Sequence, residues 1–245
     1  FIENGKMQNS KPETKKKPHK PLRGRPGGDE SRGRILSSAG QLFAERGFNG
    51  VSTRELAKEA GVNVSAIAYY FRGKKGLYRA VFNQLIEDTN PFFQPTAAHI
   101  RESVAAANGD RKALAELTRW LIKTLLNGIL NEGPMQWQMG LMLREYHQPT
   151  DGFAILLEHR VNPMHDAVAG LVAAATGKDA EDPETLLLTC CLIGQCMAFG
   201  AARGLVLARL NWMTFNAKNM PQVVDTVTGV ALAMLGFEDE AKNAT

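Results

Sequence analysis

The chain has 245 residues, 44% of them hydrophobic and 22% charged, with a formal net charge of +4. That leaves room for one or two domains with a substantial core. The three cysteines, all within residues 190–196, do not make a disulfide framework, and no stretch reads as a signal peptide, so a reducing cytoplasm is expected.

The charge is unevenly placed. Residues 1–34 hold ten Lys or Arg against four Asp or Glu, about +6, which leaves about −2 for the rest. Rich in Pro, Gly and Lys and poor in apolar residues, residues 1–28 are expected to form a disordered basic arm. The six residues FIENGK before Met7 are read as an extension and carry no functional argument. Arg23-Gly24-Arg25-Pro26 resembles an AT-hook core. An extended Arg-Gly-Arg can follow a narrow minor groove, whose negative potential draws both guanidinium groups. Read as a plain basic tail, the same residues still attract phosphate.

Residues 29–77 predict three helices. The first runs from about 30 to 46, with Ile35, Leu36, Ala39, Leu42 and Phe43 on one face. Ser52 and Glu55 have capping-box spacing for the second, whose apolar face is Leu56, Ala57 and Ala60. Gly61 can leave that helix with positive φ, Val62 plugs the turn, and Asn63 caps the third helix. Ile67 and Phe71, four apart, pin the third helix to the core. Val64, Ser65, Ala66, Ala68 and Tyr69 then face outward. Two short helices, a glycine turn, a tyrosine pair and a following lysine pair are how a helix-turn-helix looks in sequence.

Residues 78–240 also read as helices. One starts at Lys74-Lys75, carries Leu77, Val81 and Leu85 inward, and ends at Asn90-Pro91. The next is capped by Asp110, carries Leu114, Leu117, Leu121 and Leu125, and closes at Gly133-Pro134. Further helices span about 135–146 and 152–176, the latter with a kink near Pro163. Asp182-Pro183 opens one that runs to about 210, and Pro221 opens the last, which Gly236 ends. No alternating strand pattern occurs. The expected fold is all-α: a three-helix DNA-binding domain followed by a helical ligand-binding and dimerisation domain.

The stretch from Leu186 to Leu207 is apolar nearly all round, so its helix needs burial on several sides. It is a little short for a bilayer, and a buried helix is expected, its cysteines included. Gly194, Ala198 and Ala202 make a smooth ridge, and Val223, Val227, Val230 and Met234 make a stripe on the last helix. Two such helices from each of two copies would form a four-helix homodimer interface. Alternatively the ridge packs inside one chain.

The middle of the chain suggests a pocket. Trp120, Trp137, Met142, Phe153, Met164 and Phe199 supply adaptable apolar surface, with Arg144, His147 and Arg203 as polar groups near it. These nine are the candidate ligand-binding residues, although most large apolar side chains here are expected to be core. There is no HExxH, no paired Cys ligands, no Gly-rich phosphate loop and no nucleophile elbow. No metal, cofactor or catalytic site is expected.

Two runs carry a family likeness. Residues 35–57, ILSSAGQLFAERGFNGVSTRELA, and 61–77, GVNVSAIAYYFRGKKGL, resemble the signature of TetR-family transcriptional regulators. LREYH (143–147), EHRVNPMHD (158–166) and the helix around 195–203 are similar to the CerR-type C-terminal domain of one TetR subfamily. The resemblance implies a homodimer, most often a repressor, that a small molecule releases from a palindromic operator on double-stranded DNA. The effector is expected to be hydrophobic, with an anionic or polar end.

By motif position, Arg54 is a candidate base or phosphate contact. Val64, Ser65 and Ala66 would face the major groove, and Tyr69 would reach a base edge or phosphate. Thr53, Tyr70 and Lys74 would hold phosphates. Ala68 stands where the family often has Tyr, so readout is expected to lean on thymine methyls, DNA shape and the arm. The rival reading is an architectural protein of AT-rich DNA with no effector response. No membrane partner is expected.

Overall fold

A computed structural model describes residues 26–130 and 136–237. Arg23 and Arg25 of the arm, and the Gly133-Pro134 closure, lie outside the described residues. No strand occurs among those described.

The chain enters through α1 (Pro26–Arg46), which begins earlier than the expected residue 30. Proline presets the φ of a first helical turn, and Asp29 there complements the helix dipole. Next come α2 (Thr53–Glu59) and α3 (Val64–Phe71). The capping box forms as expected: the Glu55 amide donates to Ser52 Oγ at 3.2 Å, and the Ser52 amide donates to Glu55 Oε2 at 2.7 Å. Gly61 turns the chain at φ 63°, and Asn63 Oδ1 accepts from the Ser65 amide at 2.9 Å.

α4 (Lys74–Ala107) departs most from expectation. It does not end at Asn90-Pro91 but continues through Pro91 and Pro95. Each proline strips a hydrogen bond from the carbonyl four residues earlier. Those carbonyls belong to Glu87 and Pro91, both exposed, so water can satisfy them. The inner face stays continuous through Leu85, Ile86, Thr89, Thr96, Ala97 and Ile100, all buried. At the start of α4, a Cβ on Gly76 would fall 1.8 Å from the Phe71 carbonyl oxygen, so α3 and α4 meet at this angle only with glycine there.

Beyond it lie α5 (Arg111–Leu130), α6 (Gln136–His147) and α7 (Asp151–Leu156). The expected single helix over 152–176 is interrupted by a π-helical turn, Leu157–Val161, before α8 (Asn162–Thr176). Pro163 sits in the first turn of α8, directly after the π turn. The expected helix from 183 to 210 is likewise two. It breaks at Ala202 (φ −100°, ψ 24°) into α9 (Pro183–Ala201) and α10 (Arg203–Leu210). Finally α11 spans Met220–Met234.

Two cores result. One joins α1–α3 and the first half of α4, around Ile35, Phe43, Leu56, Ile67 and Phe82, and takes in Leu141 of α6 and Leu156 of α7. The other joins the second half of α4 to α5, α8, α9 and α11, around Ile100, Leu121, Val168, Leu192 and Leu232. α4 belongs to both.

α9 is not buried all round. It is long and apolar enough to cross a membrane by length and composition, yet only 22% of that window is buried within the chain. Leu186, Leu187, Cys190, Cys191, Gly194 and Ala198 lie exposed; of the cysteines only Cys196 is buried. On α11, Val223 and Val227 point into the core, leaving Gly229 and Val230 exposed. The last helix therefore offers a narrower apolar stripe than expected.

Candidate DNA-reading head and ligand cavity

α3 is held from below by Ile67 (0% exposed) and Phe71 (6%). Its outer side presents Val64, Ser65, Ala68 and Tyr69, all exposed, with Tyr69 at 71%. Arg54, in the first turn of α2, is also exposed. Ser65 Oγ donates to Asn63 Oδ1 at 2.9 Å, so its lone pairs stay open to a donor. Ala66 and Tyr70 are half-buried against the head's core, and Thr53 is half-buried. The Tyr70 ring stands 4.9 Å edge-on from that of Tyr69, which limits its freedom. Lys74 lies with Nζ 4.3 Å from the centre of the Phe48 ring. Partial burial lowers its pKa, and the Glu55 carboxylate opposes that shift. Lys75 pairs instead with Asp151 at 3.1 Å.

The second feature is an apolar cavity beneath α4, α5, α6, α8 and α9. About 100 Å³ of it is open to the centre of a water-sized sphere. Phe92 and Phe93 of α4, Leu125 and Ile129 of α5, and Met139 and Met142 of α6 supply much of its wall. Its polar lining is Thr89, Gln138, Tyr146, Arg160 and His165. Of the nine expected ligand residues, Met142 and Met164 line it.

The other seven stand elsewhere. Trp120 packs 4.2 Å from the His99 ring on the outer side of α5. Trp137 lies against α1, where a Cβ on Gly40 would come within 2.7 Å of its ring. Arg144 donates to the last carbonyls of α1. The exposed His147 ring bonds back through Nδ1 to the Leu143 carbonyl at 2.8 Å. Phe153 is half-buried on α7, and Phe199 packs against the second core. Arg203 donates to the Leu130 carbonyl at 2.9 Å and to Thr214 Oγ1 at 3.3 Å. Arginine is long enough to brace two elements, and both candidate arginines do that here.

Thr89, Phe92 and Phe93 are not among the sequence candidates, because a proline at 91 predicts the end of a helix that in fact continues. The stripe 85–86–89–93–96–97–100 continues the apolar spacing past that proline and was the available signal. Arg160 was also missed. Nothing in the sequence indicates the π turn that carries it inward. Among the described residues, no group of three His, Cys, Asp or Glu side chains is placed to hold a metal ion.

The chain is similar to known proteins over both parts. The family model "Bacterial regulatory proteins, tetR family" matches residues 35–81. The model "HTH-type transcriptional dual regulator CecR, C-terminal domain" matches residues 114–236. The CecR regulator of Shigella flexneri is 30% identical over 201 residues, 82% of this chain and 89% of that protein. A probable HTH-type regulator of Bacillus subtilis, YttP, is 42% identical over 67 residues, 27% of this chain and 32% of that one. Among solved structures, AibR in complex with isovaleryl coenzyme A and operator DNA superposes with a TM-score of 0.57 at 14% identity, over 82% of this chain and 97% of that one. A putative fatty acid metabolism regulator of Clostridium perfringens gives 0.55 at 16%, over 83% and 97%. At these identities the superpositions speak for the fold. The head and the C-terminal helices are thus matched independently, the latter by the domain type anticipated above as CerR. The chain belongs to the TetR family of bacterial DNA-binding transcriptional regulators, with a C-terminal domain of the CecR type.

Proposed function

We propose that the protein is a dimeric, ligand-responsive repressor that leaves a palindromic operator when a small, mainly hydrophobic molecule fills the cavity. One observation carries this reading: α4 is a single helix that packs in the core of the reading head through Leu77, Val81 and Phe82 and lines the cavity through Thr89, Phe92 and Phe93. Whatever occupies the cavity presses on the helix that carries the head. α6 adds a second link, with Met139 and Met142 on the cavity and Arg144 on α1. A ligand shifts this balance only by its different affinity for the two arrangements.

The open faces of α9 and α11 support the dimer. A second copy laid on Leu187, Cys191, Gly194 and Val230 would cover apolar surface that water otherwise meets. Two heads related by a two-fold axis would then read two half-sites on one face of the DNA. Regulators of this kind work in the cytoplasm, where these thiols stay reduced.

A footprint on the DNA upstream of the coding region tests the proposal. The expected result is a symmetric protected site that is lost when a cavity ligand is added. Diffuse protection of AT-rich DNA, or a site indifferent to every ligand that binds the cavity, would overturn it.

A further inference from the structure

Arg160 is the polar side chain in this cavity with the least explained environment. The π turn carries it inward, and it is 4% exposed. Its guanidinium carbon lies 3.8 Å from the centre of the Phe93 ring. Nη2 donates to Thr89 Oγ1 and, at 3.4 Å, to the Ile86 carbonyl. Thr89 gives its own hydroxyl hydrogen to the Leu85 carbonyl at 2.6 Å, so toward Arg160 it acts as an acceptor. All of these partners are neutral.

Among the described residues, no carboxylate lies within ion-pair distance of Arg160. Its Nε–H has no acceptor. Burial pulls its pKa down to about 10, which still leaves it charged near neutrality. Buried charges are normally paired, and a buried N–H without an acceptor is costly. Stacking on Phe93 satisfies one face of the group and Thr89 one edge; the charge and the Nε–H remain unanswered.

Two further features bear on what answers them. Burial lowers the pKa of His165, so it adds no second positive charge at neutral pH. One fixed cation calls for one negative charge. Arg160 also borders a more open cleft with Arg101 and His159, and among the described residues no acidic side chain lines that cleft. Glu158, 3.9 Å from His159, is exposed and outside it. An anion approaching by this side meets a favourable field.

We infer that the effector is a monoanionic carboxylic acid with an aromatic or branched apolar body. Its carboxylate sits on the Arg160 guanidinium, and its body lies among Phe92, Leu125, Ile129, Met142 and Met197. This inference rests on the cavity being the effector site. Planar guanidinium and carboxylate groups match in geometry, and a charge-assisted hydrogen bond is stronger than a neutral one.

The test uses the full chain, with phenylacetate and 4-methylpentanoate as probes and their primary amides as neutral counterparts. Proton–nitrogen spectra read the arginine Nε–H signals, that of Arg160 being the one lost in Arg160→Met. Saturable movement of this signal by the acids is expected. The acids should bind about tenfold or more tighter than the amides, a preference that Arg160→Met should abolish while amide binding persists. Equal binding of acid and amide, or a preference that survives Arg160→Met, overturns the carboxylate assignment and leaves the cavity reading standing. If no probe moves the Arg160 signal or the Met142 methyl signal at millimolar concentration, the carboxylic-acid inference falls, and the cavity reading is decided by the footprint. If Arg160→Met folds poorly, Arg160→Gln takes its place in both the signal assignment and the acid–amide comparison.

Discussion

Nη2 of Arg144, on α6, donates to the main-chain carbonyl of Glu45, 2.9 Å away at the end of α1, and to that of Ala44 at 3.2 Å. The last carbonyls of a helix have no partner within it and carry its negative dipole end, so a cation is favoured there. The same α6 bears Met139 and Met142 on the cavity. Arg144→Gln should cost about 1–2 kcal/mol in denaturant unfolding, toward the lower side because Arg144 is only half-buried. It should also weaken the ligand-induced loss of DNA affinity. Unchanged stability together with an unchanged response would remove this clamp from the signalling route.

Lys74 sits at the start of α4 with its ammonium over Phe48. As a phosphate contact it should contribute to all DNA sequences alike. Lys74→Ala is expected to weaken operator and random DNA by similar factors and to lower the salt slope of binding by about one. Fluorescence anisotropy across a salt series reads both. A normal slope would show that this lysine serves only the Phe48 contact.

Arg54 of α2 and Tyr69 of α3 are both exposed. If they touch base edges, Arg54→Ala and Tyr69→Ala should each cost about 1–3 kcal/mol on the operator and much less on random DNA. Competition binding with the two DNAs separates the cases, and equal losses on both would make these residues backbone anchors.

Leu187 is 66% exposed on α9 and Val230 58% exposed on α11. A buried glutamate without a partner is costly in an interface. Leu187→Glu is expected to shift the chain toward monomer in sedimentation velocity while leaving its helical circular dichroism intact. Operator binding should fall with dimerisation. A dimer of undiminished strength would place the interface elsewhere.

Burial holds the His165 pKa below its ordinary value of 6.5, with Asp166 opposing. The unfolded chain therefore binds this proton more readily than the folded one. Well above pH 6.5 the ring is neutral in both states and contributes nothing to the pH dependence. As pH falls through 6.5 toward the folded pKa, stability is lost. Comparing melting at about pH 7.5 and about pH 5.5, His165→Gln should lose less stability on acidification than the unaltered chain. An identical acid loss in both would assign the dependence to other groups.

Much of the head was legible because its signals are local. The Ser52–Glu55 cap, the Gly61 turn and the Ile67–Phe71 pair lie within a few residues of one another, and each has one favourable backbone outcome. The all-helical class was legible for the same reason. Misreadings arose where a local rule met a tertiary override. Pro91 and Pro95 should stop a helix, yet α4 continues because their orphaned carbonyls face water while the opposite side stays buried in two cores. Apolar spacing alone could not show that Val223 and Val227 turn inward while Val230 stays open.

The candidate ligand residues show the division most clearly. Composition marked a pocket-like middle rich in Trp, Met and Arg, and the sequence alone determined that such side chains were available. Which of them meet was decided only by packing. Trp137 and Arg144 are drawn to α1, Arg203 braces α5 against the loop before α11, and a π turn rotates Arg160 into the cavity. A side chain's type fixes what it can bind. Its direction depends on helix register and crossing, and those are set by contacts between residues far apart in the chain.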